Sequence, residues 1–451
     1  MVFPAAFISS LHQALPAGEI NPLLEALQMP APVSLRINAL KTQKRPVEST
    51  RVPWCEEGFI LPRRPLFAAD PAFHAGHYYV QEASSMVVGS LVKGLLAGLP
   101  NDALLLDLCA APGGKSTHLA SVMRTGDILI ANETISSRTP ILHENLCKWG
   151  LANHIVTRAD AARLGNGKVR FQVVVADLPC SGEGMFRKDP NAISEWSENN
   201  VKLCAERQQR IVMDIWPAIA PGGFLVYSTC TFNTLENEQN VNLLAKQLGA
   251  DILQPEFLGK EAFLEAEAGM YRALPHKTLG EGFFVAVMQK NGGDDPVLKP
   301  GKNRRYRNGI LPEALPANLI ALETDMGMVG MQDVDPVRWE TLLEFLPQIY
   351  AAGTPLGKVY HGKWKPETPV ALLAALQPGN WPTLSLNDAD AMLFLRREAL
   401  QNPQRHEGLW HVLWEGVSLG FVNANRHQWN NLWPMEWRLR MSAATPERVL
   451  Q

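Results

Sequence analysis

The sequence predicts an α/β fold: a parallel sheet in the middle of the chain, an α/β extension before it, and mixed and β-rich modules after it. Two observations carry that prediction. From 101 to 290, short apolar runs alternate with helical stretches, the pattern of a parallel sheet with crossover helices. The first run also passes through a glycine turn into a helix, in Leu104-Leu-Leu-Asp107-Leu-Cys109-Ala-Ala-Pro-Gly113-Gly114-Lys115-Ser116-Thr117. Strand, glycine turn and helix N-terminus in that order make a cofactor site. The glycines let the backbone approach a ligand, and the free N–H groups at the helix start face it. The stretch fits neither the dinucleotide fingerprint nor a P-loop, whose first glycine would fall at Cys109. Taken alone, it is also compatible with an ordinary strand–turn–helix.

Length and composition set the bounds. At 451 residues the chain should hold two to four domains. With 46% hydrophobic and 19% charged residues it has the balance of a globular protein. A net charge of −3 gives no global basic footprint, so a nucleic-acid partner would be held by local patches. No apolar run reaches the ~18 residues of a membrane span, and MVFPAAFISSLHQAL lacks the basic start of a signal peptide. The six cysteines are scattered, with no CxxC pair. That argues for reduced thiols in a cytoplasmic protein, without a disulfide framework or a metal site.

In chain order, a helical start precedes PVSLRINAL (32–40), which alternates as a half-buried strand does. Arg36 and Asn38 would share one face of it, with Lys41, Lys44 and Arg45 just beyond: a solvated edge or an RNA-contacting face. YYVQEASSM leads into the apolar helix MVVGSLVKGLL, which Ser84 or Ser85 could cap. LLLDL (104–108) is then the first buried strand, and Ser116 would cap the helix after it. DILIANE (127–133) is the second strand, followed by a helix over about 136–149 with Pro140 in its first turn. HIVTRAD (154–160) and FQVVVADLPC (171–180) are the third and fourth. A long helix over about 198–219 leads to Pro221-Gly222-Gly223 and the fifth strand, FLVYSTC (224–230). NTLENEQNVNLLAKQL is a further helix and EGFFVAVMQK (281–290) a late strand. Acidic residues 107, 133, 160 and 177 fall at the ends of the first four strands, on the side where open α/β sheets bind ligands. One such carboxylate is commonplace; four in succession point to a site.

From 291 the composition turns polar, and Lys302, Arg304, Arg305 and Arg307 form the densest basic cluster, a solvated linker or a phosphate grip. Residues 310–375 read as mixed α and β. Residues 380–442, rich in Trp, read as a small β-barrel-like module whose aromatic residues are core.

Cysteine 180 lies in Asp177-Leu-Pro-Cys180-Ser-Gly-Glu-Gly184, and Cys230 in Tyr227-Ser-Thr-Cys230-Thr-Phe232. Each leaves a strand for a polar loop, where a thiolate can be reached and can add to an electron-poor ring carbon. Buried structural roles are expected for Cys55, Cys147 and Cys204.

These segments together, DLCAAPGGKS, NE, DLPCSGEG with RKDP, and YSTCT with ENE, resemble the Sun/NSUN family of S-adenosylmethionine-dependent RNA (cytosine-5) methyltransferases. PVSLRIN and YYVQEASSM are similar to that family's N-terminal region, and Leu178 stands where the family usually has Ala. The extra C-terminal modules make the chain resemble the RsmF-type branch, which acts on 16S rRNA. The resemblance implies a Rossmann-like class I methyltransferase sheet, mostly parallel with an antiparallel last strand. It implies an RNA-binding extension (1–100), the methyltransferase domain (101–292), a linker and mixed α/β module (293–378) and a PUA-like β module (379–451). Cys109, Ala110, Ala111, Pro112, Gly113, Gly114 and Lys115 would cradle the methionine part of S-adenosylmethionine. Glu133 would hold its ribose and Asp160 its adenine end, while Asp177 would border cofactor and cytosine. Cys230 would attack carbon 6 of the base, and Cys180 would help release the product. The implied partner is RNA, as 16S rRNA or the small ribosomal subunit, with the chain acting as a monomer away from membranes. A tRNA enzyme and a non-catalytic assembly factor are the alternatives.

Overall fold

The computed structural model describes residues 2–299, 307–308, 315–324, 327–360, 363–376, 381–442 and 445–451. At its centre five strands run parallel, in the order Ile219–Thr229, Phe171–Asp177, Leu104–Asp107, Ile128–Asn132, His154–Thr157. Both faces of these strands are covered, so the strands are almost continuously apolar. Successive side chains enter opposite cores: Leu105, Leu129, Val173 and Val175 one, Leu106, Ile130 and Val174 the other. The strand order reverses between Leu104–Asp107 and Phe171–Asp177. At such a switch point the loops leave in opposite directions and a crevice opens at the carboxyl ends of the strands.

Phe283–Lys290 lies antiparallel against Ile219–Thr229, as expected of the late strand. The sheet then extends beyond the expectation. Met270–Ala273 and Leu264–Glu267 continue that edge, Ala250–Leu253 also pairs with Phe283–Lys290, and Ile349–Ala352 pairs antiparallel with His154–Thr157 at the far side. Each is too short for its alternation to stand out from loop sequence.

The N-terminal extension holds the helices Ala5–Ala14 and Ala17–Ala26 and a four-stranded antiparallel sheet. The strand expected in PVSLRINAL is Val33–Ile37, but its basic face is neither a solvated edge nor an RNA surface. Arg36 is 1% exposed. Its guanidinium donates to Gln81, Ser121 and Thr117 and lies 4.4 Å above the Trp149 ring. Asn38, equally buried, donates to the carbonyls of Gly76 and Trp149. Both join the extension to helices of the central sheet. Lys41 donates to the Ala75 and Lys148 carbonyls, and only Lys44 and Arg45 remain exposed.

Several helix boundaries differ from expectation. Ser116 is no cap: the helix is Gly114–Val122, and the Ser116 hydroxyl donates to Asp107. Neither Ser84 nor Ser85 caps Val87–Ala97; the Glu82 carboxylate accepts from both serine N–H groups in the preceding turn. The long helix is Glu198–Ile215, ending before Pro217, which cannot continue it. The helix after the Cys230 loop is Glu238–Leu248, and residues 233–237 before it form a turn whose side chains serve the site.

Past 290, a sheet formed by Arg307–Asn308, Leu319–Thr324, Gly327–Gln332, Thr354–Tyr360 and Lys363–Lys365 precedes a second β module. That module is a sheet in the order Thr383–Leu386, Gly408–Trp414, Val417–Ala424, Gln428–Asn431, Leu400–Gln401. Trp414, Trp429 and Trp433 lie in its core, the role expected of its aromatic residues. Of the basic cluster, Lys302, Arg304 and Arg305 lie outside the described residues; the backbone of Arg307 pairs with that of Glu323.

Candidate active site

Asp107 and Asp177 end the two strands that flank the switch point. Lys115, one residue into the helix after the glycine turn, donates to Asp177 Oδ2 at 2.7 Å, and Ser228 donates to Oδ1 at 2.8 Å. Burial works against the Lys115 ammonium, but the neighbouring charges of Asp177, Asp107 and Cys230 outweigh it and hold the group above its ordinary value. Asp107 is fully buried. Burial pushes its carboxyl up to about 6, against a 2.6 Å hydrogen bond from Ser116 to Oδ2. Its Oδ1 is buried without a hydrogen-bond partner.

In front of these groups lies a cleft. Tyr79, Gln81, Glu82 and Ser85 of the extension line one side; Cys109, Ala110, Ala111, Pro112, Gly114, Lys115 and Asp177 line the other. Gly113 sits at φ +117°, where only glycine is unstrained, and a Cβ on Gly114 would come within 3.4 Å of the Tyr79 ring. Glu133 is buried beside this loop. It accepts from the Ile135 N–H at 2.8 Å and faces Arg138 at 3.5 Å, and Arg138 donates to the Ala111 carbonyl at 2.5 Å. Asp160 is exposed and caps the helix Ala161–Gly165 by accepting from the Arg163 N–H. Neither Glu133 nor Asp160 lines the cleft itself.

Cys180 and Cys230 follow neighbouring parallel strands, so their loops lie side by side. The sulfurs are 2.8 Å apart, well beyond a disulfide bond of about 2.05 Å, and both thiols are free and half-buried. The Cys230 N–H donates to Cys180 Sγ at 3.3 Å. The hydrogen bond to Cys230, then burial, then the charge of Cys230 push the Cys180 thiol well above its ordinary value. Cys180 is therefore the sulfur that holds its proton more tightly than a free thiol does.

A buried acidic scaffold sets this spacing. Glu183 accepts from the Phe232 and Asn233 N–H groups, the Asn233 amide and the Trp196 indole. Glu236 accepts from the Ser181 N–H, Gln208 and Asn233. Burial raises the Glu236 carboxyl above its ordinary value despite those bonds. One carboxylate thus grips the Cys230 loop from the Cys180 side, and the other does the reverse.

The family model of the 16S rRNA methyltransferase RsmB/F matches residues 95–289, and that of the N-terminal domain of 16S rRNA methyltransferase RsmF matches residues 3–83. Ribosomal RNA small subunit methyltransferase F of Erwinia tasmaniensis is 36% identical over 76% of this chain and 73% of its own. The chain belongs to the RsmB/F methyltransferase family. The Klebsiella pneumoniae protein of the same description is 32% identical over 96% of both chains. Among solved structures, a methyltransferase homologue from Pyrococcus horikoshii is 26% identical with a TM-score of 0.51, over 64% of this chain and 99% of its own.

As a member of that family the protein is an S-adenosylmethionine-dependent rRNA methyltransferase. The cleft fits that cofactor, since the backbone from Cys109 to Pro112, with Gly114 and Lys115, lines it directly, and behind that lining the Asp107 Oδ1 is a buried acceptor without a donor. The RsmB/F signature also shows what reading motifs one residue at a time overlooks. Arg138, Glu183, Asn233 and Glu236 look like surface polar residues in sequence, yet each is committed to the site. The GEG and ENE segments already carried two of them. Leu178 in place of the family's Ala has an outlet: its side chain is buried in the hydrophobic core, away from the cleft.

Proposed function

We propose that this enzyme methylates carbon 5 of cytosine in 16S rRNA, with Cys230 as nucleophile and Cys180 as the residue that resolves the adduct. The supporting observation is the pair of free thiols 2.8 Å apart, where two neighbouring parallel strands end beside Asp177. Bound S-adenosylmethionine supplies the methyl group, held by residues 109–115 and Asp107, with Glu133 steadying the loop. Asp160 is assigned to the adenine end. The Cys230 thiolate adds to carbon 6, and its electron pair makes carbon 5 nucleophilic. Asp177, fixed by Lys115 and Ser228, borders the ring.

Once Cys230 is bonded to carbon, its sulfur is a weak acceptor and its charge is gone. Two of the four influences that kept Cys180 protonated then vanish, the hydrogen bond and the charge of Cys230. Cys180 can ionise and take the carbon-5 proton, directly or through one water, after which carbon 6 releases the Cys230 thiolate. The target base must leave its stack to reach the sulfur, which favours unpaired RNA. The reading has the enzyme act as a cytoplasmic monomer.

The test is a denaturing gel of Cys180→Ala and Cys230→Ala with substrate RNA and cofactor. A slow-migrating protein–RNA adduct is expected for Cys180→Ala alone. An adduct with Cys230→Ala instead would reverse the two roles.

A further inference from the structure

A second group of ligating side chains converges away from the cleft. His143 and Cys147 stand one turn apart on the helix Thr139–Trp149, and His154 opens the strand His154–Thr157. Cys147 Sγ is 3.4 Å from His143 Nε2, and one ligating atom of each residue lies within 4.8 Å of the others. Cys147 and His154 are buried; His143 is half-buried and offers a path from solvent.

The decisive detail is at His154. Its Nδ1 lies 2.9 Å from the Leu151 carbonyl oxygen, which can only accept, so Nδ1 carries the proton and Nε2 is a bare lone pair. That Nε2 is buried without a hydrogen-bond partner. One ring N–H on a backbone carbonyl with the other nitrogen free is the arrangement that metal-binding histidines adopt. A thiol–imidazole hydrogen bond accounts for the His143–Cys147 contact but leaves the His154 nitrogen unexplained.

We propose that His143, Cys147 and His154 bind a divalent transition metal of zinc type, with a fourth position open to water. Two imidazoles and a thiolate suit such an ion better than an oxygen-seeking one. Zinc bond lengths place tetrahedral ligand atoms roughly 3.3–3.8 Å apart. The His143–Cys147 pair is already at that spacing, and no pair has more than about 1 Å to close. On binding, the Cys147 thiol gives its proton to solvent as sulfur bonds to the metal, and the two imidazoles bind as neutral ligands. The ion would tie the helix to the edge strand of the sheet. Tyr350, on the strand Ile349–Ala352 added to that edge, packs against His143 at 5.8 Å between ring centroids. The site would thus brace the junction between the catalytic sheet and the later part of the chain.

The experiment adds cobalt(II) to the full-length, chelator-treated protein and follows the thiolate-to-metal charge-transfer band and the visible bands of a four-coordinate ion. A saturable one-to-one signal is expected. It should be lost in Cys147→Ser and in His154→Gln, kept in Cys180→Ser, and displaced by zinc with a rise in melting temperature. Should Cys147→Ser fail to fold, His143→Ala replaces it, with affinity expected to fall at least tenfold. No band, a band that survives the loss of Cys147, an affinity unchanged in His143→Ala, or a band lost in Cys180→Ser would leave only a hydrogen bond at this place and overturn the proposal.

Discussion

Replacing Asp107 by Asn should change the pH dependence of stability and the cofactor affinity in opposite senses. In the folded chain burial pushes this carboxyl from 3.8 to about 6. A gap of about two pH units corresponds to about 3 kcal/mol. Because the folded value is the higher one, the native state binds more protons between the two values. Stability is therefore lost as pH rises from about 4 through 6, and below that window the penalty disappears. The amide introduced by Asp107→Asn does not ionise. Whatever fixed offset it introduces, the stability difference between variant and parent should move by about 3 kcal/mol in the variant's favour between pH 4 and 7.5. The same change removes the charged acceptor left open at Oδ1. A hydrogen bond to a charged group contributes roughly 1.5–3 kcal/mol, so S-adenosylmethionine should bind about 10- to 150-fold more weakly. Urea denaturation across pH and calorimetric titration at neutral pH measure the two effects. Parallel stability curves for the two proteins would show that the carboxyl is not held at a cost. Unchanged affinity would show that its free oxygen does not face the cofactor.

Glu133→Ala frees Arg138 and with it the 109–112 loop, and should weaken cofactor binding about tenfold or more in calorimetry. Unchanged affinity removes Glu133 from the site. Arg36→Ala leaves Gln81 and Thr117 without their donor and opens a void over Trp149, so urea denaturation should show a loss of about 3 kcal/mol. Arg36→Lys should recover less than half of it, because an ammonium cannot reproduce the fork; full recovery would mean that charge alone matters there. Glu236→Gln must turn its N–H₂ either to Ser181 and Gln208 or to Asn233, donors in both cases, and should shift the two cysteine loops. Single-turnover methylation should fall by about 100-fold while cofactor affinity stays constant, since misplacing reacting groups by ~1 Å has that effect. A parallel loss of cofactor affinity would mean that the whole cleft, and not the sulfur pair, depends on Glu236.

Local chemistry was enough to reveal the parallel strands, the glycine turn and the two cysteines that follow neighbouring strand ends. A buried parallel strand must be an unbroken apolar run, and Leu104–Asp107 and Phe171–Asp177 are such runs. A φ as large as +117° needs glycine, and Gly113 stands where the turn requires it. The family signature rests on the same local segments. Tertiary structure decided what depends on contacts between residues far apart in the chain. Arg36 and Asn38 alternate like an exposed strand face, yet the extension folds that face onto Trp149 and buries it. Ser116 has the composition of a cap, but a carboxylate from the preceding strand claims its hydroxyl and the helix starts earlier. The strand Ile349–Ala352 joins an edge almost two hundred residues away in sequence, a pairing that no local periodicity encodes. The two sulfurs are a case of the same kind. The PC and TC motifs lie 50 residues apart in the chain, and only the parallel pairing of their strands brings the thiols to 2.8 Å.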